Sequence, residues 1–143
     1  LYRIIPRTIL YILTGQKLQL HGGGVSKRSF IHIRDVSEAT WDIMANGNNG
    51  DTYHISTNDI VTIRGLVEQI CETMNVDFEA CVDVAEDRLG KDQAYILGSE
   101  KIRGELGWSD KISLVDGLGE TIDWVKNNLD TLQAQPQSYI HKK

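Results

Sequence analysis

The 143-residue sequence has only two cysteines and two prolines, and it has no basic excess. Cys71 and Cys81 are too few for a disulfide framework or a zinc site. Both sit in apolar patterns that read as core. No run approaches the roughly 18 apolar residues of a membrane-spanning helix, and no signal peptide is visible. The formal net charge of −5 argues against nucleic acid or an anionic membrane as the main partner, while leaving room for a local cationic pocket. Internal repeats and low-complexity tracts are missing too. These absences leave a cytoplasmic globular chain as the expectation, with one domain by length. The sequence opens Leu1-Tyr2-Arg3 without an initiator methionine, so the expectation is a processed start or a piece of a longer protein.

Several catalytic signatures are also lacking. Gly22-Gly23-Gly24 and Gly117-Leu118-Gly119 do not complete a G-x-G-x-x-G turn between a strand and a helix. Gly117 and Gly119 fall inside an expected helix, where close packing explains them. Tyr139 and Lys143 have the Y-x-x-x-K spacing of a dehydrogenase pair, but they lie in the last five residues, outside any long helical pattern. His21, His32 and His54 have no metal-ligand spacing with a carboxylate. No nucleophile elbow appears.

What is present is a mixture of helices and short strands. Pro6 suits the first turn of a helix with Ile9, Leu10, Ile12 and Leu13 on its apolar side and Gly15 as its stop. Leu18–His21 and Phe30–Ile33 read as short strands. Asp35 with Glu38 has the form of a capping box before a helix whose inner face is Val36, Ala39, Thr40, Ile43 and Met44. Thr52–Ser56 is a strand candidate. Thr62 caps the clearest helix, with Ile63, Leu66, Val67, Ile70, Cys71 and Met74 at helical spacing. Alternation over Phe78–Val84 predicts a half-buried strand. Ser99 starts a short helix that stops at Gly107. Ser113 with Asp116 caps a long one carrying Leu114, Leu118, Ile122, Val125 and Leu129. The polar segment from Gln133 onward reads as a tail. The fold class is a small mixed α/β domain of about five helices and a few short strands, with residues 1–132 as the domain.

Two places gather cations beside permissive backbone. Arg28 and Lys27 follow the triple glycine. Arg88 and Lys91 flank Gly90 in the segment Asp87-Arg88-Leu89-Gly90-Lys91-Asp92-Gln93-Ala94-Tyr95. Guanidinium forks match paired phosphate oxygens, and glycine lets backbone amides come close. Surface salt bridges, such as Arg88 with Glu86 or Asp87, are the plainer alternative.

The ordered segments resemble a known family. They are Ile4-Ile5-Pro6-Arg7, Leu18-Gln19-Leu20-His21-Gly22, Lys27-Arg28-Ser29-Phe30-Ile31-His32-Ile33-Arg34-Asp35-Val36, Gly50-Asp51-Thr52-Tyr53-His54-Ile55, the Asp87–Asp92 loop with Tyr95, and Lys101-Ile102 through Glu105-Leu106-Gly107-Trp108. Together they look like the C-terminal substrate-binding part of the NAD-dependent sugar-nucleotide epimerases and dehydratases, and most of all the dTDP-glucose 4,6-dehydratase type.

The resemblance implies a pocket for a nucleoside-diphosphate sugar. Arg28 and Arg88 match its diphosphate contacts, Ile5 and Pro6 its nucleotide cover, and Gln19, Leu20 and His21 its base and ribose wall. Thr62 matches a polar ribose or phosphate contact. Asp87, Gly90 and Lys91 complete the expected set, with Asp87 holding the loop's shape. Leu89 stands where the family usually has proline. The nucleotide-cofactor half of such enzymes has no counterpart here, so NAD is expected in the full-length family enzyme and not on this chain. The same holds for the catalytic Tyr/Lys pair, and the chain alone is expected to be inactive. Expected partners are the nucleotide sugar, and either the missing Rossmann domain or a second copy through an exposed apolar face. The alternatives are a non-catalytic nucleotide-sugar-binding module or the same part of a 4-epimerase.

Overall fold

The computed structural model describes residues 3–87, 90 and 92–135. Arg88, Leu89, Lys91, the Tyr139–Lys143 spacing and most of the expected tail lie outside the described residues. In chain order the elements are α1 (Ile4–Leu13), β1 (Leu18–His21), a 3₁₀ turn at Gly22–Gly24, β2 (Lys27–Ser29), α2 (Ile33–Asn46), β3 (Ile60–Thr62) and α3 (Ile63–Thr73). They continue with α4 (Phe78–Cys81), β4 (Val82–Ala85), β5 (Ala94–Tyr95), α5 (Glu100–Leu106), α6 (Leu114–Asn127) and α7 (Leu129–Gln133). The mixed α/β class is as expected. The helix count rises above five because the C-terminal helix divides at Asn128, whose amide donates back to the Trp124 carbonyl, and because Phe78–Cys81 closes a helical turn. None of the described helices is long and apolar enough to cross a membrane.

The main body is built on α1, α3 and α6. Ile9, Leu10, Leu66, Ile70, Leu118, Ile122, Val125 and Leu132 form its largest cluster. Leu18 and Leu20 of β1, Val67 and Cys71 of α3, and Val82 of β4 form a second. Val67 and Cys71 lie beside Leu66 and Ile70 on α3, so that one helix serves both clusters. Each fully buried side chain of this kind contributes roughly 1.5–3 kcal/mol of transfer free energy. Cys71 is buried, and that burial pushes its thiol up to about 11. It is a core residue and stays protonated at neutral pH.

Two sheets are small. β1 pairs in parallel with β4, from Leu18↔Val82 to His21↔Ala85. β2 lies between β3, antiparallel, and β5, parallel. A third apolar cluster of Ala39, Ile102 and Trp108 sits under α2 and α5, with Ile31, Ile43, Tyr53, Ile55 and Leu106 around it.

Four local expectations change. Phe30–Ile33 is no strand: the paired residues are Lys27–Ser29, and α2 begins at Ile33 because the His32 ring caps it, accepting from the Arg34 N–H. Asp35 is therefore inside the first turn and does not cap it. Its buried carboxylate accepts from the backbone N–H groups of Lys111 and Ile112, each at 3.1 Å, which ties α2 to the segment before α6. The Thr52–Ser56 stretch pairs with no strand among the described residues. Finally, Phe78–Val84 splits into α4 and β4. The Arg64 guanidinium sits 4.6 Å from the Phe78 ring, and that contact goes with the helical turn rather than an extended run.

The caps at Thr62 and Ser113 form as expected, accepting from the Gly65 and Asp116 N–H groups. Gly107 ends α5 in the left-handed region at φ 67°, where glycine has no β-carbon penalty. Ser99 precedes α5 but spends its hydroxyl on the Arg103 side chain rather than on a cap.

Candidate functional site

Because β1 and β4 run parallel, their C-terminal ends finish together. In open α/β sheets that is the edge where ligands bind. Here the two ends release the triple-glycine turn after His21 and the Glu86–Asp87 segment after Ala85. His21 Nδ1 lies 3.1 Å from the Glu86 carbonyl, which links the two exits. Along β1, Leu18 and Leu20 face the core while Gln19 is exposed. The Gln19 amide donates to Asp83 at 3.0 Å, and Lys17 pairs with the same carboxylate at 3.2 Å.

The triple glycine makes its close approaches within the protein. Gly22 has φ 59°, and a β-carbon there would overlap the Asp87 carboxylate. A β-carbon on Gly24 would come 2.8 Å from the Arg64 backbone nitrogen, at the start of α3. The turn is thus clasped between Asp87 and the α3 N-terminus. A β-carbon on Gly117, in α6, would come 3.3 Å from the His32 ring, whereas one on Gly119 would meet nothing within 4 Å.

β2 brings Arg28 to the same region. It stands opposite Val61 of β3 and Tyr95 of β5. Its guanidinium donates to the carbonyls of Lys27 at 2.6 Å and Asp92 at 3.0 Å, and the Lys27 N–H donates to the Gln93 carbonyl at 2.8 Å. Arg28 and the Lys27 N–H therefore fasten the backbone at Asp92 and Gln93 to β2. A guanidinium has five N–H donors, so two carbonyls leave capacity for an anion. Thr62 lies across from Lys27, with its hydroxyl committed to the α3 cap.

Of the expected site residues, Gln19, Leu20 and His21 lie on β1, Arg28 on β2, and Asp87 and Gly90 between β4 and β5, while Thr62 ends β3 opposite Lys27. Leu20 is buried and shapes this region only from beneath. Arg88 and Lys91 lie outside the described residues. Ile5 and Pro6 sit in the first turn of α1, and Ile5 lines a different feature: a cleft of about 230 Å³ between α1, the Phe30–Ile33 segment and α6. His32 borders that cleft with Nε2 3.4 Å from Glu120, and Arg34 pairs with the same carboxylate. The sequence reading passed over Glu120 because its partners are some 86 positions away. No group of His, Cys, Asp and Glu among the described residues is arranged to hold a metal ion.

Comparison with known proteins supplies the wider context. A family model described as GDP-mannose 4,6 dehydratase matches residues 1–121. The dTDP-D-glucose 4,6-dehydratase of Homo sapiens is 34% identical over 131 residues, which cover 88% of this chain and 37% of that protein. The crystal structure of the dTDP-glucose 4,6-dehydratase of Streptomyces venezuelae with NAD and TYD bound superposes with a TM-score of 0.84 at 31% identity. It covers 90% of this chain and 40% of that one. The UDP-glucose 4-epimerase of Thermotoga maritima with UDP-glucose gives 0.81 at 26% identity, covering 89% and 40%. The chain spans between about a fifth and two fifths of the length of its curated relatives.

Proposed function

The chain belongs to the GDP-mannose 4,6-dehydratase family, and from that premise we propose that it carries the nucleoside-diphosphate-binding side of a sugar-nucleotide 4,6-dehydratase. The observation that carries the reading is Arg28. It is a forked cation on the central strand of a sheet, and it holds the segment that returns from the β1/β4 exits. A diphosphate presents paired anionic oxygens, for which a guanidinium fork is the matching donor.

In this reading Arg28 exchanges one carbonyl for a phosphate oxygen, and Arg88 and Lys91 add charge from the adjoining segment. Gln19 and His21 flank the base and ribose, Thr62 lies near the ribose or phosphate, and Ile5 and Pro6 cover the nucleotide. Asp87 holds the glycine turn in shape, and Gly90, at φ 78°, lets backbone come close. These residues bind and orient, and none of them transfers a hydride or a proton. NAD, when present in the complete enzyme, supplies oxidation and re-reduction of the sugar from residues other than these.

The same part of a 4-epimerase is the second reading, and the Thermotoga maritima structure favours it. The dehydratase reading goes first because identity to the human and Streptomyces venezuelae dehydratases is higher, 34% and 31% against 26%.

The test is an amide-shift titration of the 143-residue chain with dTDP and with UDP. Shifts are expected at Arg28 and Gly22–Gly24, saturating in the range of about 0.1–5 mM, and Arg28→Ala should weaken binding by about tenfold or more. No shift with either nucleotide at about 10 mM contradicts a preformed diphosphate site.

A further inference from the structure

Phe30 and Ile31 lead from β2 directly to His32, the residue before α2. The His32 side chain is only 16% exposed, and its two ring nitrogens face different helices. Nδ1 accepts from the Arg34 N–H at 3.2 Å, which satisfies one of the orphan donors at the start of α2. Nε2 lies 3.4 Å from the Glu120 carboxylate on α6. Gly117 gives the ring its room beside α6, because a β-carbon there would be in tight contact with the ring edge.

The two contacts ask for opposite charge states. A nitrogen that accepts a hydrogen bond has no proton, so the cap belongs to the neutral ring in its Nε2–H form. In the protonated ring both nitrogens are donors. Nδ1–H then meets the Arg34 N–H, and a positive charge stands at a helix N-terminus, where the macrodipole opposes it. Glu120 acts the other way, because a carboxylate beside Nε2 favours the charged ring. Pairing with the ring does not require Glu120 to release Arg34, since the ring faces its Oε2 and the guanidinium its Oε1.

The other charges on the adjoining elements are already engaged. Among the described residues lining the 230 Å³ cleft, His32 is the only titratable one, with Ile5 from α1 and Ile112, Ser113 and Leu114 from the start of α6. Asp35 accepts from the Lys111 and Ile112 N–H groups, and the Lys111 ammonium pairs with Glu38. Asp116 is bonded to Ser113. Arg7 of α1 lies 6.0 Å from the Tyr11 ring.

We propose that His32 is a pH-operated latch between α2 and α6. The neutral ring caps α2, and the protonated ring gives up the cap and pairs with Glu120. Histidine changes charge between about pH 5 and 8, and a ring with a different partner in each state couples that change to structure. The first turn of α2 opens in the acidic form. Asp35 still ties that turn to the 111–112 backbone, so the rest of the helix stays folded. The latch uses a cap and an ion pair, so it stands apart from nucleotide binding.

The test is a pH series from about 8 to about 5.5 on the isotopically labelled 143-residue chain, following the His32 ring nitrogens and the Arg34 and Val36 amides by NMR. Nδ1 is expected to be unprotonated at the alkaline end. With the intrinsic pH dependence of exchange divided out, protection at the two amides should fall by about tenfold as the ring titrates. His32→Asn and His32→Ser keep a cap acceptor but cannot take the charge, so protection should stay flat across the series in both. Glu120→Gln should move the loss to lower pH, because the charged ring then has no anionic partner. The proposal is overturned if Nδ1 carries the proton at the alkaline end, or if the amides stay protected while the ring titrates. It is overturned as well if the loss persists in both cap-keeping variants, or if Glu120→Gln leaves its midpoint unmoved.

Discussion

The body formed by α1, α3, α6 and α7 and the unit formed by α2, residues 52–57 and α5 bury their apolar residues to different extents. The first holds two interlocked clusters with Leu66, Val67 and Ile70 at 0% exposure. The second has a smaller apolar cluster of three buried residues, Ala39, Ile102 and Trp108, while Ile33, Trp41 and Met44 of α2 stand in solvent. Its order comes largely from polar ties. Arg103 reaches Ser99, the Ser56 carbonyl and Asp110 and stacks 5.1 Å from the Trp108 ring. Tyr53 donates to Glu105 at 2.7 Å, and Lys101 pairs with Asp51 at 3.0 Å. One region is closed by packing and the other is held by side-chain hydrogen bonds.

The comparison breaks most easily at Leu66. Leu66→Ala should cost about 3–5 kcal/mol and lower the urea midpoint for every probe. Ile102→Ala, equally buried but in the smaller cluster, should cost about 2–3 kcal/mol, with Trp108 fluorescence changing before the α3 and α6 signals. Equal and simultaneous loss in both variants would dissolve the distinction between the regions.

Asp35 is the tie between α2 and the start of α6. Removing its carboxylate leaves the Lys111 and Ile112 N–H groups without acceptors, so Asp35→Ala should cost about 1–3 kcal/mol in a urea melt. The loss should appear first in α2.

Asp110 sharpens the comparison by pH. Burial raises its pKa, but hydrogen bonds from Arg103 and Thr57 outweigh that, and the carboxyl sits below its ordinary 3.8 in the fold. A depressed folded value means that its contribution is complete above the unfolded pKa and is lost as pH falls through the lower folded one. The α5 unit should therefore loosen in acid below about pH 4, and Asp110→Asn should flatten that acid limb in a pH series of melts. At the small end, Lys17→Ala removes a pair whose side chains are 50% and 46% exposed, and it should change stability by no more than about 0.5 kcal/mol.

How much of this could be read from the sequence follows the same division. The apolar spacing of α3, its Thr62 cap and the Ser113/Asp116 start of α6 are local signals, and they form as written. The family pattern, distributed over ordered segments from Ile4 to Trp108, was legible as well. What was not legible depends on distant partners. Thr52–Ser56 has strand alternation, but pairing needs a neighbouring strand, and none of the described strands lies against it. Asp35 looked like a cap because its acceptors' true donors lie some 76 positions away. The Phe78 ring packs under Arg64, on another helix. For the candidate site, the sequence singled out Arg28 and the triple glycine, but not that Asp87 fills the space beside Gly22. It also missed the Glu120 partners at the second cleft.

The most direct measurement is native-state amide exchange on the 143-residue chain alone, read helix by helix. The amides of α3 and α6 should be the slowest, and those of α2 and α5 should exchange at least about 30-fold faster through local opening. Uniform protection across all four helices would show that the α2–α5 unit is already complete, and would contradict the account.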